Sequence, residues 1–244
     1  GDLVPQAGAH GQAFLATKVW TRGRQEGIAQ MEQSMRRLRA SRIDLMQVHN
    51  LVDWRTQLAT LREWKAQGRI RYLGITHYTE SAFGEVEAVL KAEALDFLQI
   101  NYALDDRAAE QRLLPLAAQR GVAVIVNQPF GGGGLLRRLR ERPLPGWAAE
   151  IGARSWAQLL LKFTLHPPAV TCVIPGTSRP EHMADNAAGG TGPVPRAAFR
   201  RPPAPAASRS SASGTATATA KNSGLPKAIS SGRKSVIAPP RGSF

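Results

Sequence analysis

The run Ile43-Asp44-Leu45-Met46-Gln47-Val48-His49-Asn50 decides the reading of this chain. It is short and apolar, and it ends abruptly in a histidine and an asparagine. A strand buried on both faces reads as a near-continuous apolar run. Polar chemistry confined to its C-terminal end is the design of a parallel α/β barrel at its mouth. Phe14-Leu15-Ala16-Thr17-Lys18-Val19-Trp20 repeats that design about thirty residues earlier, with Lys18 near the end of the run.

The same period continues downstream. The candidate strands are Phe14–Trp20, Ile43–His49, Ile70–Ile75, Asp96–Ile100, Val122–Val126 and Val170–Ile174. Helical spacing separates them: Ile28, Met31, Met35 and Leu38 form one apolar stripe, with Arg36, Arg37 and Arg39 turned outward. Trp54–Gln67 follows Asp53, a candidate N-cap, and closes at Gly68. Ser81–Lys91, Ala108–Arg120 and Trp156–Leu165 complete the set, the last stopped by Pro167 and Pro168. Six strand–helix units without hairpin signals imply parallel strands joined by right-handed crossovers. At this spacing eight units need roughly 240 residues, close to the ~250 of a TIM-type (β/α)8 barrel. The fold expected is therefore such a barrel, with about six of its eight units present in residues 1–190. An open dinucleotide-binding sheet is disfavoured, because no Gly-x-Gly-x-x-Gly follows any strand and the glycines at 131–134 lack that spacing.

Composition narrows the function classes. The chain has 244 residues, 43% of them hydrophobic, which is ample for one core. Of its net charge of +14, nine units come from Arg196, Arg200, Arg201, Arg209, Lys221, Lys227, Arg233, Lys234 and Arg241, with no acidic residue after Thr191. The barrel portion is only mildly basic, so a nucleic-acid role could rest on the tail alone. Residues 191–244 are rich in Pro, Ala, Ser, Gly and Arg and read as a disordered basic tail. One cysteine, Cys172, rules out a disulfide framework and a cysteine-based metal site. No apolar run reaches the ~18–20 residues a bilayer span needs, and Gly1-Asp2-Leu3 shows no signal-peptide pattern. The expectation is a cytoplasmic protein that begins partway through an element.

Lys18 and His49 are the candidate catalytic residues. They end neighbouring strands, so both reach the barrel mouth. A half-buried lysine lowers the pKa of a nearby proton donor, and a histidine polarises a carbonyl oxygen. Two other readings stand beside this one. The lysine could pair with a carboxylate and the histidine be held by hydrogen bonds, both purely structural. Alternatively, a desolvated lysine is the Schiff-base nucleophile of aldolase-type barrels.

The motifs Phe-Leu-Ala-Thr-Lys-Val, Ile-Asp-Leu-Met-Gln-Val-His-Asn, Gly68-Arg69-Ile70-Arg71-Tyr72-Leu73-Gly74-Ile75-Thr76, Leu98-Gln99-Ile100-Asn101-Tyr102 and Val173-Ile174-Pro175-Gly176, in this order, closely resemble the aldo-keto reductase family over roughly residues 1–200. The resemblance implies an oxidoreductase that reduces an aldehyde or ketone, a small-molecule carbonyl substrate, by hydride transfer from NADP(H), with NAD(H) as the alternative. It makes Lys18 and His49 the family lysine and histidine. Gln99 and Thr76 match residues that hold the nicotinamide carboxamide, and Asp185 and Asn186 resemble an acidic-Asn pair near the adenine. Ser178-Arg179-Pro180-Glu181 has the pattern of a capping box with proline in the first turn, so it should open a helix. A helix N-terminus carrying Arg179 suits the cofactor's 2′-phosphate.

The departures are informative too. By the resemblance, the family aspartate and tyrosine belong to a segment before Gly1, so this chain alone should be nearly inactive. His77 stands where the family has a strand-end asparagine, Asn127 where it has a stacking aromatic, and Gly176 where some members have a phosphate-binding lysine. The alternatives to a reductase are a non-catalytic nicotinamide-binding barrel subunit and a lysine-dependent aldolase.

Overall fold

The computed structural model describes residues 12–193, residues 1, 2, 6 and 8, and a two-residue strand at 235–236. Its elements alternate as the sequence period requires: β1 (Ala16–Val19), α1 (Arg24–Leu38), β2 (Ile43–His49), α2 (Trp54–Ala66), β3 (Ile70–Thr76), α3 (Phe83–Ala92), β4 (Phe97–Asn101), α4 (Leu113–Gln119), β5 (Ala123–Asn127), α5 (Gly134–Leu139), α6 (Trp156–Leu165), β6 (Val170–Val173) and α7 (Pro180–Gly189), with β7 at Ser235–Val236. The strands pair in chain order, and each pairing is parallel. Among the described residues the sheet stays open between β1 and β7. Apart from β7, most of the basic tail lies outside the described residues.

Two apolar layers follow from the alternation of side chains along each strand. Met46, Val48, Leu73, Ile75, Leu98, Ile100, Val124 and Val126 face the helices, where they pack with Met31, Leu58, Leu61, Trp64, Leu90 and Leu160. Burying each such side chain contributes about 1.5–3 kcal/mol. The opposite parity faces the concave, inner side. There Leu45, Ile125 and Cys172 form a second cluster with Tyr72, Phe97 and Ile174. Phe14 stacks on Tyr72 at 6.3 Å, and Tyr72 meets Phe97 edge-on at 5.4 Å. The N-terminal half of the inner face is therefore an apolar floor.

Three details depart from the sequence reading, each for a local reason. Ala108–Arg120 is not one helix but a 3-10 turn at Ala108–Glu110 followed by α4 at Leu113. Proline cannot donate to the helix ladder, and starting at Leu113 puts Pro115 in the first turn, where the N–H would be unbonded anyway. Ser178 does not cap α7. The residue before a proline is driven to extended backbone, so Arg179, at φ −108° and ψ 126°, becomes the N-cap ahead of Pro180. Asp53 does precede α2, but its carboxylate makes no cap bond. It accepts instead from Gly23 N at 2.8 Å. Gly68 terminates α2 with φ 73°, as a C′ glycine should.

Gly74 lies opposite Phe97 in the β3–β4 ladder. A Cβ added there would come within 2.4 Å of the Phe97 carbonyl oxygen, so the inner face can pass over β3 only on a bare backbone. Gly74→Ala should therefore lower stability by roughly 2–3 kcal/mol. Urea unfolding of parent and variant, followed by far-ultraviolet circular dichroism, checks this; equal midpoints would contradict it.

Candidate active site

The inner face changes character at the C-terminal ends of the strands. Residues of one parity on β1 to β5 place Lys18, Gln47, His49, Thr76, Gln99, Asn101 and Asn127 above the apolar floor. The register sets Lys18 beside Gln47, His49 beside Thr76, Thr76 beside Gln99, and Asn101 beside Asn127. Lys18, His49, Thr76 and Gln99, singled out from sequence, thus lie on one surface. Thr76 and Gln99 are buried, and Lys18 and His49 are half-buried.

Hydrogen bonding fixes the histidine. His49 Nδ1 lies 2.9 Å from Thr76 Oγ1, and Asn50 N donates to the same oxygen at 3.3 Å. A hydroxyl that accepts from Asn50 is fully satisfied when it also donates its own proton to His49 Nδ1. The tautomer that permits this carries the imidazole proton on Nε2. Trp20 meets the His49 ring edge-on at a centroid distance of 5.5 Å. Trp20 is held by its backbone, its N–H donating to Gln30 Oε1 at 2.5 Å.

Burial first, and then the nearby Lys18 and His77, push the His49 imidazole from its ordinary 6.5 down to about 4. At neutral pH it is an uncharged hydrogen-bond donor. Burial also lowers the Lys18 ammonium. Because the folded value of His49 lies below its unfolded one, neutral His49 favours the fold above pH 6.5. That contribution is lost as pH falls from 6.5 towards 4.

Three inner-face amides have a buried atom with no hydrogen-bond partner: Gln47 Nε2, Asn101 Oδ1 and Asn127 Oδ1. Leaving such atoms unpaired costs about 1–3 kcal/mol each, so this surface retains hydrogen-bonding capacity. A flat carboxamide with donors and acceptors on its rim is a chemical match. Gln47 and the Trp20 ring escaped the sequence reading; counting two residues back from His49 along the strand would have found Gln47.

The other candidates are placed elsewhere. Ser178 and Arg179 are exposed just ahead of α7, and Arg179 N donates to Thr177 Oγ1 at 3.2 Å. Asp185 already accepts from Ser155 Oγ and Gln158 Nε2, both at 2.6 Å, and so locks α7 to the start of α6. Asn186 is buried on the same helix. Tyr72 belongs to the floor. Tyr102 donates to Glu110 at 2.5 Å, and burial followed by that carboxylate pushes its phenol well above the ordinary range. Tyr78 is exposed on the rim, stacked on His77 at 5.8 Å. His77 Nδ1 accepts from Tyr78 N and Thr79 N at 3.0 and 3.3 Å. Among the described residues no three or more His, Cys, Asp or Glu side chains cluster as metal ligands, and no helix is long and apolar enough to cross a membrane.

Lys18→Met removes the positive charge that adds to burial in holding His49 down, so His49 should titrate at a higher pH in that variant. Imidazole proton NMR between pH 8 and about 3, a window that brackets the parent midpoint, reads this directly; superimposable curves would contradict it.

Comparison with known proteins bears on this surface. The aldo/keto reductase family model matches residues 3–195. A Schizosaccharomyces pombe uncharacterized oxidoreductase is 30% identical over 160 residues, 63% of this chain and 49% of its own length. An Escherichia coli methylglyoxal reductase is 28% identical over 186 residues, covering 74% of this chain and 65% of that protein. The chain thus spans about half to two thirds of these relatives. The solved aldo/keto reductase from Klebsiella pneumoniae, in complex with NADP and acetate, superposes with a TM-score of 0.64 at 26% identity, over 77% of this chain and 69% of its own. Parallel strands paired in chain order, as in a (β/α)8 barrel, and a family match over most of the length settle the classification: the chain belongs to the aldo/keto reductase family.

Proposed function

We propose that the inner-face surface is the nicotinamide and carbonyl site of an NAD(P)H-dependent reductase of small aldehydes or ketones. The observation that carries this is the row Lys18, His49, Thr76 and Gln99 on one face, flanked by three buried amide atoms without a partner, Gln47 Nε2, Asn101 Oδ1 and Asn127 Oδ1. In this reading Thr76 and Gln99 hold the carboxamide, and Arg179 meets the 2′-phosphate of NADP(H), with Ser178, Asp185 and Asn186 on the adenosine side. Asp185 would have to share its carboxylate with Ser155 and Gln158. When bound, the cofactor supplies the hydride that reaches the carbonyl carbon.

The chain's own residues handle the oxygen. His49 Nε2–H, held in that tautomer by Thr76, donates to the carbonyl oxygen and orients it. Negative charge grows on that oxygen as the hydride arrives, and the Lys18 ammonium stabilises it in a half-dry setting where such a charge counts for more than in water. The Trp20 ring packs edge-on against the imidazole on one side. The proton that completes the alcohol is the weak point. None of Tyr72, Tyr78 and Tyr102 is placed beside Lys18 in a way that supports a donor role. We therefore expect little turnover by these 244 residues, whose behaviour would then approach that of a nicotinamide-binding subunit.

A second reading rests on one observation: Lys18 makes no ion pair among the described residues and is depressed by burial. A lysine of that kind can form an imine with a carbonyl. Borohydride trapping of a small aldehyde on Lys18, absent in Lys18→Met, would establish it.

For the principal reading, NADPH added to the 244-residue chain should quench tryptophan fluorescence, and Gln99→Leu should weaken binding about tenfold. Carbonyl-dependent NADPH oxidation should be slow and should vanish in Lys18→Met. Absence of binding by both NADPH and NADH would overturn the assignment. Fast turnover would overturn the statement about the missing donor.

A further inference from the structure

The strand ends that carry Lys18 and His49 are tied together above the sheet by residues with no place in the chemistry. Asp53, in the loop after β2, accepts from Gly23 N in the loop after β1 at 2.8 Å. Gln57, on the first turn of α2 and fully buried, sends Nε2 to two carbonyls of that same loop, Gly23 O at 2.9 Å and Thr21 O at 3.3 Å. Both amide hydrogens are thereby used. From the other side Gly27 of α1 seats directly on this amide, since a Cβ at Gly27 would lie 2.2 Å from Gln57 Oε1. The backbone around the joint is held in an uncommon shape. Asn50, Leu51 and Asp53 all have φ between 47° and 56°, and non-glycine residues there cost of order 1 kcal/mol or more each. A loop keeps such conformations only where its surroundings over-determine them.

We propose that Gln57 and Asp53 are positioning residues that clamp the loop following Lys18 onto the loop following His49 and so set the separation of these two side chains. The relevance of that separation to carbonyl reduction rests on the proposed function; the clamp itself does not. Three hydrogen bonds, one from Asp53 and two from the first turn of α2, reach the loop after β1. Thr21 and Gly23 lie three and five residues beyond Lys18, and Asp53 lies four beyond His49, so slack in the clamp passes to both side chains through short tethers. With the clamp loosened, Lys18 and water both gain freedom around the imidazole.

The test needs neither cofactor nor turnover. The full 244-residue chain is titrated by imidazole NMR, with the His49 signal assigned by its loss in His49→Gln. Three variants are compared with the parent: Gln57→Leu, which keeps the volume and deletes the donors; Asp53→Gly, which keeps the left-handed backbone without strain and deletes the acceptor; and Asp53→Asn, which keeps both an acceptor oxygen and tolerance of that backbone. Gln57→Leu and Asp53→Gly should each raise the His49 midpoint by about half a pH unit or more, while Asp53→Asn stays with the parent. If Gln57→Leu does not fold, the pair of Asp53 variants carries the test alone. Parent-like His49 curves in folded Gln57→Leu and Asp53→Gly would overturn the proposal, as would equal shifts in Asp53→Asn and Asp53→Gly. Failure of NADPH to bind the parent would remove the reductase reading and leave this result standing.

Discussion

Met46 and Val48 must face the helices, because that is where Leu58, Leu61 and Trp64 can bury them. Side chains alternate along a strand, so Gln47 and His49 have no choice but the opposite face. A slip of one residue would put two polar side chains into the helix-packed layer and two apolar ones at the mouth, at a cost of several kcal/mol in burial alone. The same argument applies to Leu73 and Ile75 against Thr76, and to Leu98 and Ile100 against Gln99. Hydrophobic packing on the outer layer therefore fixes the polar surface on the inner one. The parallel register then brings His49, Thr76 and Gln99 into adjacent positions.

That surface gains its chemistry from partial burial. Thr76 spends its hydroxyl on His49 and accepts from Asn50, which leaves Nε2–H as the free end of the imidazole. Removal from water keeps the ring neutral, and the lysine on the next strand reinforces the effect. A neutral donor beside a cation suits an oxygen that becomes negative, since neither group has to reorganise as the charge appears. The floor of Phe14, Tyr72 and Phe97 holds the polar groups at the level of the mouth.

Much of this was legible in the sequence, and the exceptions have physical causes. The apolar runs marked β2 to β6 because buried parallel strands leave little else in their pattern, and Lys18 and His49 were visible as the residues that broke those runs. The Pro115 break was missed because apolar period continues through it while the hydrogen-bond ladder does not. Ser178 looked like a cap because composition favours it, yet Pro180 constrains the residue before itself more strongly. Gln47 was hidden inside an apolar run, where a glutamine is easily taken for a tolerated exception. Asp185 illustrates the opposite limit. The resemblance suggested a ligand contact there, and the structure adds that Ser155 and Gln158, about thirty residues away, engage its carboxylate. Contacts between helices leave no mark on local spacing.

The central claim is that Thr76 and Gln99, beside His49, receive the nicotinamide. Side-chain amide and imidazole NMR of the 244-residue chain, recorded while NADP+ is added, addresses it most directly. The account predicts saturable shifts at Gln99 and His49, accompanied by Gln47 or Asn127, with the distant Gln119 amide unmoved. Saturable binding that leaves Gln99 and His49 unshifted would place the cofactor elsewhere and contradict it.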